Sequence, residues 1–312
     1  MRQDSPERTG FAGRKVHAMK GRQTALTALV SLFLLGIGPV QVKAFDWPQK
    51  ETSADSFFSY FGQRRGGTIA SALVFMDNAE VRAADAGTVI AVISEHENDF
   101  GWFESPLGNA VIVSHKNEMA TVYANLEGGT IPDTVMNAGS VAAGAVLGTS
   151  GNSGWQEGQS CLEFHVLDTK NESTINPRIL MPRIGKELPL VIGDISLADK
   201  NGTIHQLASE RVLNAGNYSL YRKRQPVATP YRTVVSVNGA SVETISYDML
   251  KEIDGRLCAT GNTGYAVEEL YPDESRQLLA QLILTRGRNT VTIAIADILG
   301  ETKTISYVLD VR

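Results

Sequence analysis

The sequence predicts an all-β chain with two β-rich domains. Short runs of alternating apolar residues recur between turn residues, as in 88–93 and 110–113, and this alternation is typical of half-buried strands. No internal repeat, heptad coiled coil or long low-complexity tract is visible. Since 312 residues exceed one typical core, we expect domains at 57–182 and 188–312.

The first 44 residues have the pattern of a secretory signal peptide. Lys20 and Arg22 precede an apolar run over 25–40, and small residues lead up to Ala44. Met19 is an alternative start. The sequence therefore predicts an exported protein of the periplasm or cell envelope of a bacterium. An uncleaved segment that anchors the chain in a membrane is the alternative.

Charge argues against a nucleic-acid partner. The whole chain has 29 Lys and Arg against 34 Asp and Glu, and removing 1–44 leaves a net charge of −10, which disfavours phosphate binding. The two cysteines, Cys161 and Cys258, fall in different predicted domains. We therefore predict two free thiols rather than a disulfide.

The first domain has a recognisable order of motifs. These are Ala83-Ala84-Asp85-Ala86-Gly87, Tyr123-Ala124-Asn125-Leu126, Cys161-Leu162-Glu163-Phe164 and Asn176-Pro177. Over 57–182 this order resembles the M23 (LytM, lysostaphin-like) peptidase domain. The resemblance implies an antiparallel β-sheet domain, of a family whose active members use zinc to cut peptidoglycan cross-links.

The residues that carry catalysis in active members are all changed here. The resemblance assigns the ligand and catalytic positions to Thr68, Ala72, Asn125, Cys161 and Glu163. An alanine methyl cannot bind zinc, a threonine hydroxyl is a poor zinc ligand, and an asparagine cannot shuttle a proton. We therefore predict a degenerate member with no catalytic residue, no metal and no cofactor.

A relocated zinc site is the alternative chemistry. Cys161, Glu163 and His165 lie two apart and would share one face of a strand, with His115 and His96 as further candidates. Three such residues span about 13 Å along a strand, which disfavours convergence on one ion.

The second domain has strand signals at the spacing of a β-sandwich. They occur at 234–239, 282–284, 290–297 and 302–311. The last two look like the closing hairpin of an immunoglobulin-like β-sandwich. We predict one short helix over 246–253.

Together these features predict a non-catalytic cell-envelope protein. Its M23-peptidase-like domain would bind peptidoglycan or regulate a cell-wall hydrolase, since some degenerate family members activate cell-wall amidases. Asn125, Glu163 and His165 would line the binding groove, and Trp155 would stand at its rim.

Two other functions stay open at this point. One is a zinc metalloendopeptidase that acts on peptidoglycan cross-links. The other is a structural adhesion or assembly protein of the envelope, whose groove is closed by Trp102, Phe103 and Trp155.

Overall fold

A computed structural model describes residues 45–94, 105–137, 139–154, 160–225 and 227–312. The predicted signal peptide and its alternative start lie outside these ranges. The described residues fold mainly into strands, so the all-β prediction is confirmed. Within them, no helix has the length and apolar character that a membrane span requires.

Twenty-two strands and two short α-helices are described, together with three 3-10 turns at Ala54–Ser56, Lys116–Glu118 and Pro177–Ile179. The strands are β1 (Phe57–Ser59), β2 (Arg64–Arg65), β3 (Thr68–Ile69), β4 (Leu73–Phe75), β5 (Glu80–Arg82), β6 (Thr88–Ile93), β7 (Asn109–Ser114), β8 (Met119–Leu126), β9 (Val146–Thr149), β10 (Leu162–Asp168), β11 (Ser173–Ile175), β12 (Ser196–Asp199), β13 (Ile204–Gln206), β14 (Val212–Leu213), β15 (Gly216–Lys223), β16 (Arg232–Val237), β17 (Ala240–Ile253), β18 (Arg256–Thr260), β19 (Gly264–Tyr265), β20 (Arg276–Leu284), β21 (Gly287–Ala296) and β22 (Thr302–Val311). The helices are α1 (Asp133–Met136) and α2 (Val267–Leu270).

The first half is built around an antiparallel sheet in the order β6-β7-β8-β10-β11, with β4 also paired to β10. Period-two alternation decides which side chains of β10 enter the core, because successive side chains of a strand point to opposite faces. Leu162, Phe164 and Val166 are fully buried, whereas Glu163 and His165 alternate with them. The opposite face of β10 therefore carries the predicted site residues.

The second half contains two facing groups of strands. One has the order β13-β12-β15-β20, and the other β14-β22-β21-β16-β17. Val291, Ile293 and Ile295 of β21 are fully buried between them, as the alternation in the sequence predicts. The arrangement agrees with a β-sandwich, and assignment to the immunoglobulin-like class stays a prediction.

The predicted helix over 246–253 is wrong, since these residues belong to the long strand β17. The pairing of β17 with β18 shifts register between Ser246 and Leu250. This irregularity moves the buried positions from Ile245 and Tyr247 to Leu250. The resulting spacing of three between Tyr247 and Leu250 imitates a helical face.

Strand β17 also joins the two halves. Its residues 249–251 pair with β11 of the first half, so one sheet of 14 strands continues through both. Tyr247, Leu250 and Tyr271 of the second half lie in the same buried cluster as Phe61 and Phe164 of the first. The boundary at 182–188 stays a prediction, and the structure shows extensive contacts that cross it.

Candidate functional site

The structure brings four of the five altered family positions to one end of β10. Asn125 is the penultimate residue of β8, Cys161 precedes β10 and Glu163 lies within it. Ala72 precedes β4, which pairs with β10, and is almost fully buried. Thr68 lies in the neighbouring hairpin β2–β3 and is exposed. This region is the candidate site.

Asn125 is fully buried, and its amide is engaged in internal hydrogen bonds. Its Nδ2 donates to the carbonyl oxygens of Gly151 at 2.6 Å and Cys161 at 2.8 Å. Its Oδ1 accepts from the backbone N–H of Gly154 at 2.7 Å. The backbone of Asn125 has φ +65°, a left-handed conformation that asparagine tolerates better than most residues. Asn125 therefore ties three chain segments together and does not present its amide to solvent.

Glu163 forms the electrostatic centre of the site. Its Oε2 lies 3.3 Å from Nη1 of Arg65, and its Oε1 lies 3.1 Å from Nε2 of His165. Its side chain is only 15% exposed. Burial alone would raise the pKa of Glu163, but hydrogen bonding and charge from His165 and the charge of Arg65 outweigh it, so the pKa lies below its ordinary value. The carboxylate is therefore ionised at neutral pH.

His165 connects Glu163 to a hydroxyl. Its Nδ1 lies 3.5 Å from Oγ of Ser71, on the segment before β4. The site is thus a polar strip of Arg65, Glu163, His165 and Ser71, which we call the groove strip. Its side chains are partly exposed, 29% for Arg65 and 13% for His165.

The sequence predicts Glu163 and His165 as residues of the groove, but it does not predict Arg65 or Ser71. Arg65 ends β2 immediately before Gly66 and Gly67, and this pair of glycines was a signal for a tight hairpin. A hairpin there would fold Arg65 back over the sheet. Ser71 gave no signal, because its role depends on the pairing of β4 with β10.

Cys161 is buried, and its sulfur accepts a hydrogen bond from Asn125 Nδ2 at 3.3 Å. Desolvation raises the pKa of the thiol, which disfavours the thiolate that zinc binding and nucleophilic attack require. Cys258 is also buried, and both cysteines are free, as predicted.

Few donor atoms at the family's ligand and catalytic positions are left for a zinc ion. Ala72 offers no donor, the Asn125 amide bonds to the protein backbone, and Glu163 already pairs with the guanidinium of Arg65. In the described ranges, no three His, Cys, Asp or Glu side chains are placed to share a metal ion.

His115 serves the fold elsewhere in the first half. Its Nε2 lies 2.8 Å from Thr121 Oγ1 and its Nδ1 lies 3.0 Å from the carbonyl oxygen of Ala86. The remaining histidine candidate, His96, lies outside the described residues. So do the aromatic residues expected near the groove, namely Trp102, Phe103 and Trp155.

Comparison with known proteins identifies the family. Residues 69–177 match the model of peptidase family M23. A protein of Treponema pallidum (strain Nichols) is 31% identical over 139 residues, which cover 41% of this chain and 91% of that protein. Residues 69–177 form a domain of peptidase family M23. The matched segment contains Ala72, Asn125, Cys161 and Glu163, and Thr68 immediately precedes it.

Solved structures of M23 proteins are similar at low identity. The catalytic domain of the prophage-encoded M23 protein EnpA from Enterococcus faecalis is 21% identical and covers 39% of this chain and 87% of its own, with a TM-score of 0.31. A chain from the crystal structure of the SpoIIIAH and SpoIIQ complex is 17% identical and covers 43% of this chain and 96% of its own, with a TM-score of 0.31.

Proposed function

We propose that this chain is a non-catalytic M23 protein of the bacterial cell envelope, exported by its signal peptide, whose groove strip binds peptidoglycan or a cell-wall hydrolase. Membership of family M23 supports a cell-wall related function. The observation that carries the proposal is the Arg65–Glu163 ion pair. It sets a guanidinium beside the carboxylate of Glu163, which occupies one of the family's ligand or catalytic positions.

Charge compensation explains why this arrangement disfavours metal binding. A zinc ion at Glu163 would stand beside Arg65, and cations a few ångströms apart repel each other in a partly buried site. Removing Arg65 from Glu163 would also leave a guanidinium and a carboxylate partly desolvated. The ion pair therefore favours a groove that recognises ligands by hydrogen bonds and charge.

The groove strip offers suitable contacts for such recognition. Arg65 presents a planar donor fork, while His165 and Ser71 can donate or accept hydrogen bonds. Polar groups set along a strand beside a hairpin fit an extended ligand such as a peptide stem or a loop of a hydrolase. Asn125 is buried beside β10 and holds the segments before that strand together through its internal hydrogen bonds.

Sedimentation with purified peptidoglycan sacculi tests the proposal. Protein from Phe45 onward should sediment with sacculi without releasing soluble fragments, and Arg65→Gln together with His165→Gln should reduce the bound fraction. Lys170→Gln is a matched control, because it removes one exposed basic residue from the turn that follows β10. Release of peptidoglycan fragments by the protein would favour the zinc endopeptidase instead. Equal binding by all variants would place the contact outside the groove strip.

A further inference from the structure

A buried polar network in the second half of the chain ends on the hairpin that carries Arg65. Arg222 is 1% exposed, and its Nε donates to Oε1 of Gln277 at 2.8 Å. Nε2 of Gln277 donates to the hydroxyl of Tyr247 at 2.6 Å and lies 3.4 Å from that of Tyr271. The hydroxyl of Tyr271 then donates to the carbonyl oxygen of Gly62 at 2.6 Å.

Burying a guanidinium and other polar groups in this network costs folding free energy. Burial disfavours the charged guanidinium and lowers the pKa of Arg222. An apolar core at this point would bury the same area without that cost. What the network adds is direction, because hydrogen bonds fix one orientation of Tyr247 and Tyr271 against the first half.

Gly62 is shaped for this contact. Its φ is +83°, and a Cβ atom there would lie 2.6 Å from Cδ1 of Tyr247. The ring of Tyr247 thus packs directly on the backbone of Gly62, while Tyr271 holds the carbonyl oxygen. Any larger residue at 62 would push the ring away and break both contacts.

A second contact holds the hairpin at Arg64, two residues after Gly62. Nη1 of Arg64 lies 3.0 Å from Oε1 of Glu274, and Oε2 of Glu274 lies 3.2 Å from Nη2 of Arg224. Glu274 is largely exposed, so this bridge is the weaker of the two. Arg65, the next residue, turns to the opposite side and pairs with Glu163. Residues that flank Arg65 on its N-terminal side are therefore held by the second half.

We propose that Tyr271 and Glu274 are positioning residues of the groove strip. Through these two residues the second half of the chain holds Arg65 against Glu163. Docking of the second half onto the first is thereby coupled to ligand binding in the groove. The coupling is reciprocal, since a ligand that orders the hairpin must also favour the docked second half. This inference rests on the proposed function only where it concerns the ligand.

Hydrogen exchange of the chain from residue 45 onward tests the coupling without any ligand. Tyr271→Phe removes one hydroxyl, and amides of 60–70 should exchange about tenfold faster, as expected for the loss of one buried hydrogen bond. Tyr218→Phe is the matched control. The hydroxyl of Tyr218, in β15, donates to the carbonyl oxygen of Asn214 at 2.9 Å, just before the start of that strand. This substitution should leave the exchange of 60–70 unchanged. Unchanged exchange in Tyr271→Phe, or an equal rise throughout β21 and β22, would overturn the proposal.

Binding to peptidoglycan sacculi tests the functional part separately. Tyr271→Phe should weaken sedimentation several-fold, and adding it to Arg65→Gln should cause little further loss, because both act through Arg65. Independent, multiplicative losses would overturn the proposal. If the unmodified protein does not bind sacculi, the proposed function fails, and the hydrogen-exchange result still decides the coupling.

Discussion

At the scale of single residues, the buried amide of Asn125 hydrogen-bonds to the protein backbone. An amide can donate and accept at once, so it satisfies the carbonyl oxygens of Gly151 and Cys161 and the N–H of Gly154, which lies in the same loop as Gly151. A histidine in its place could not make all three bonds.

Asn125→Ala should therefore lower the free energy of unfolding by about 3 kcal/mol, from the unpaired buried groups and the left-handed backbone. Urea denaturation measures this difference. Asn117→Ala is the control, because Asn117 also has positive φ and is exposed, so its loss should be only about 1 kcal/mol. Equal losses would show that the amide bonds of Asn125 contribute nothing.

Glu163 should make the free energy of unfolding depend on pH in the acidic range. Because its folded-state pKa is depressed, its contribution is present above its ordinary pKa of 4.5 and is lost as pH falls through the folded value. Glu163→Gln should cost about 2 kcal/mol at pH 7, and the two proteins should converge in stability below the folded pKa.

Denaturation from pH 7 downward checks this, with Glu118→Gln as control. Glu118 and its partner Lys170 are both well exposed, so that substitution should change stability by less than about 1 kcal/mol. A constant difference between Glu163→Gln and the unmodified chain at every pH would contradict an ionised, paired Glu163.

At the scale of elements, β17 links the two halves. Leu250 is fully buried opposite Thr174 of β11. Leu250→Ala should cost about 2–5 kcal/mol, whereas Ile253→Ala at the exposed end of the same strand should cost far less.

The two halves of the unmodified chain should unfold together. Tryptophan fluorescence and circular dichroism should therefore report one shared unfolding transition. Two separated transitions would show that the strand does not couple the halves.

The sequence predicts elements well wherever one rule of periodicity holds along the whole element. The alternation of buried and partly exposed side chains in β21 is regular, and that strand is found where expected. Strand β17 fails this test, because its register shift breaks the alternation. The family motifs located Glu163, but Arg65 and Ser71 reach it only through tertiary pairing, which local patterns do not encode.

At the scale of the whole molecule, the described second half continues the sheet of the first. The joining segment is itself held in place. Arg178 forms a largely buried ion pair with Glu187 and lies over the rings of Phe57 and Tyr60. Lys303 donates to the carbonyl oxygen of Leu190.

Cleavage of this segment should therefore not separate the halves. Arg183 and Lys186 are exposed, and limited trypsin treatment should cut there. The two fragments should still elute together in native size-exclusion chromatography and separate only after denaturation. Fragments that elute apart under native conditions would show two independent domains.

The proposed function depends most on the ion pair between Arg65 and Glu163, which stands at one of the family's ligand or catalytic positions. Elemental analysis of the protein from Phe45 onward, after incubation with zinc and removal of excess metal, tests it most directly. The proposal predicts no stoichiometric zinc in the unmodified chain. About one zinc per chain, lost on Glu163→Gln or Cys161→Ala, would contradict it.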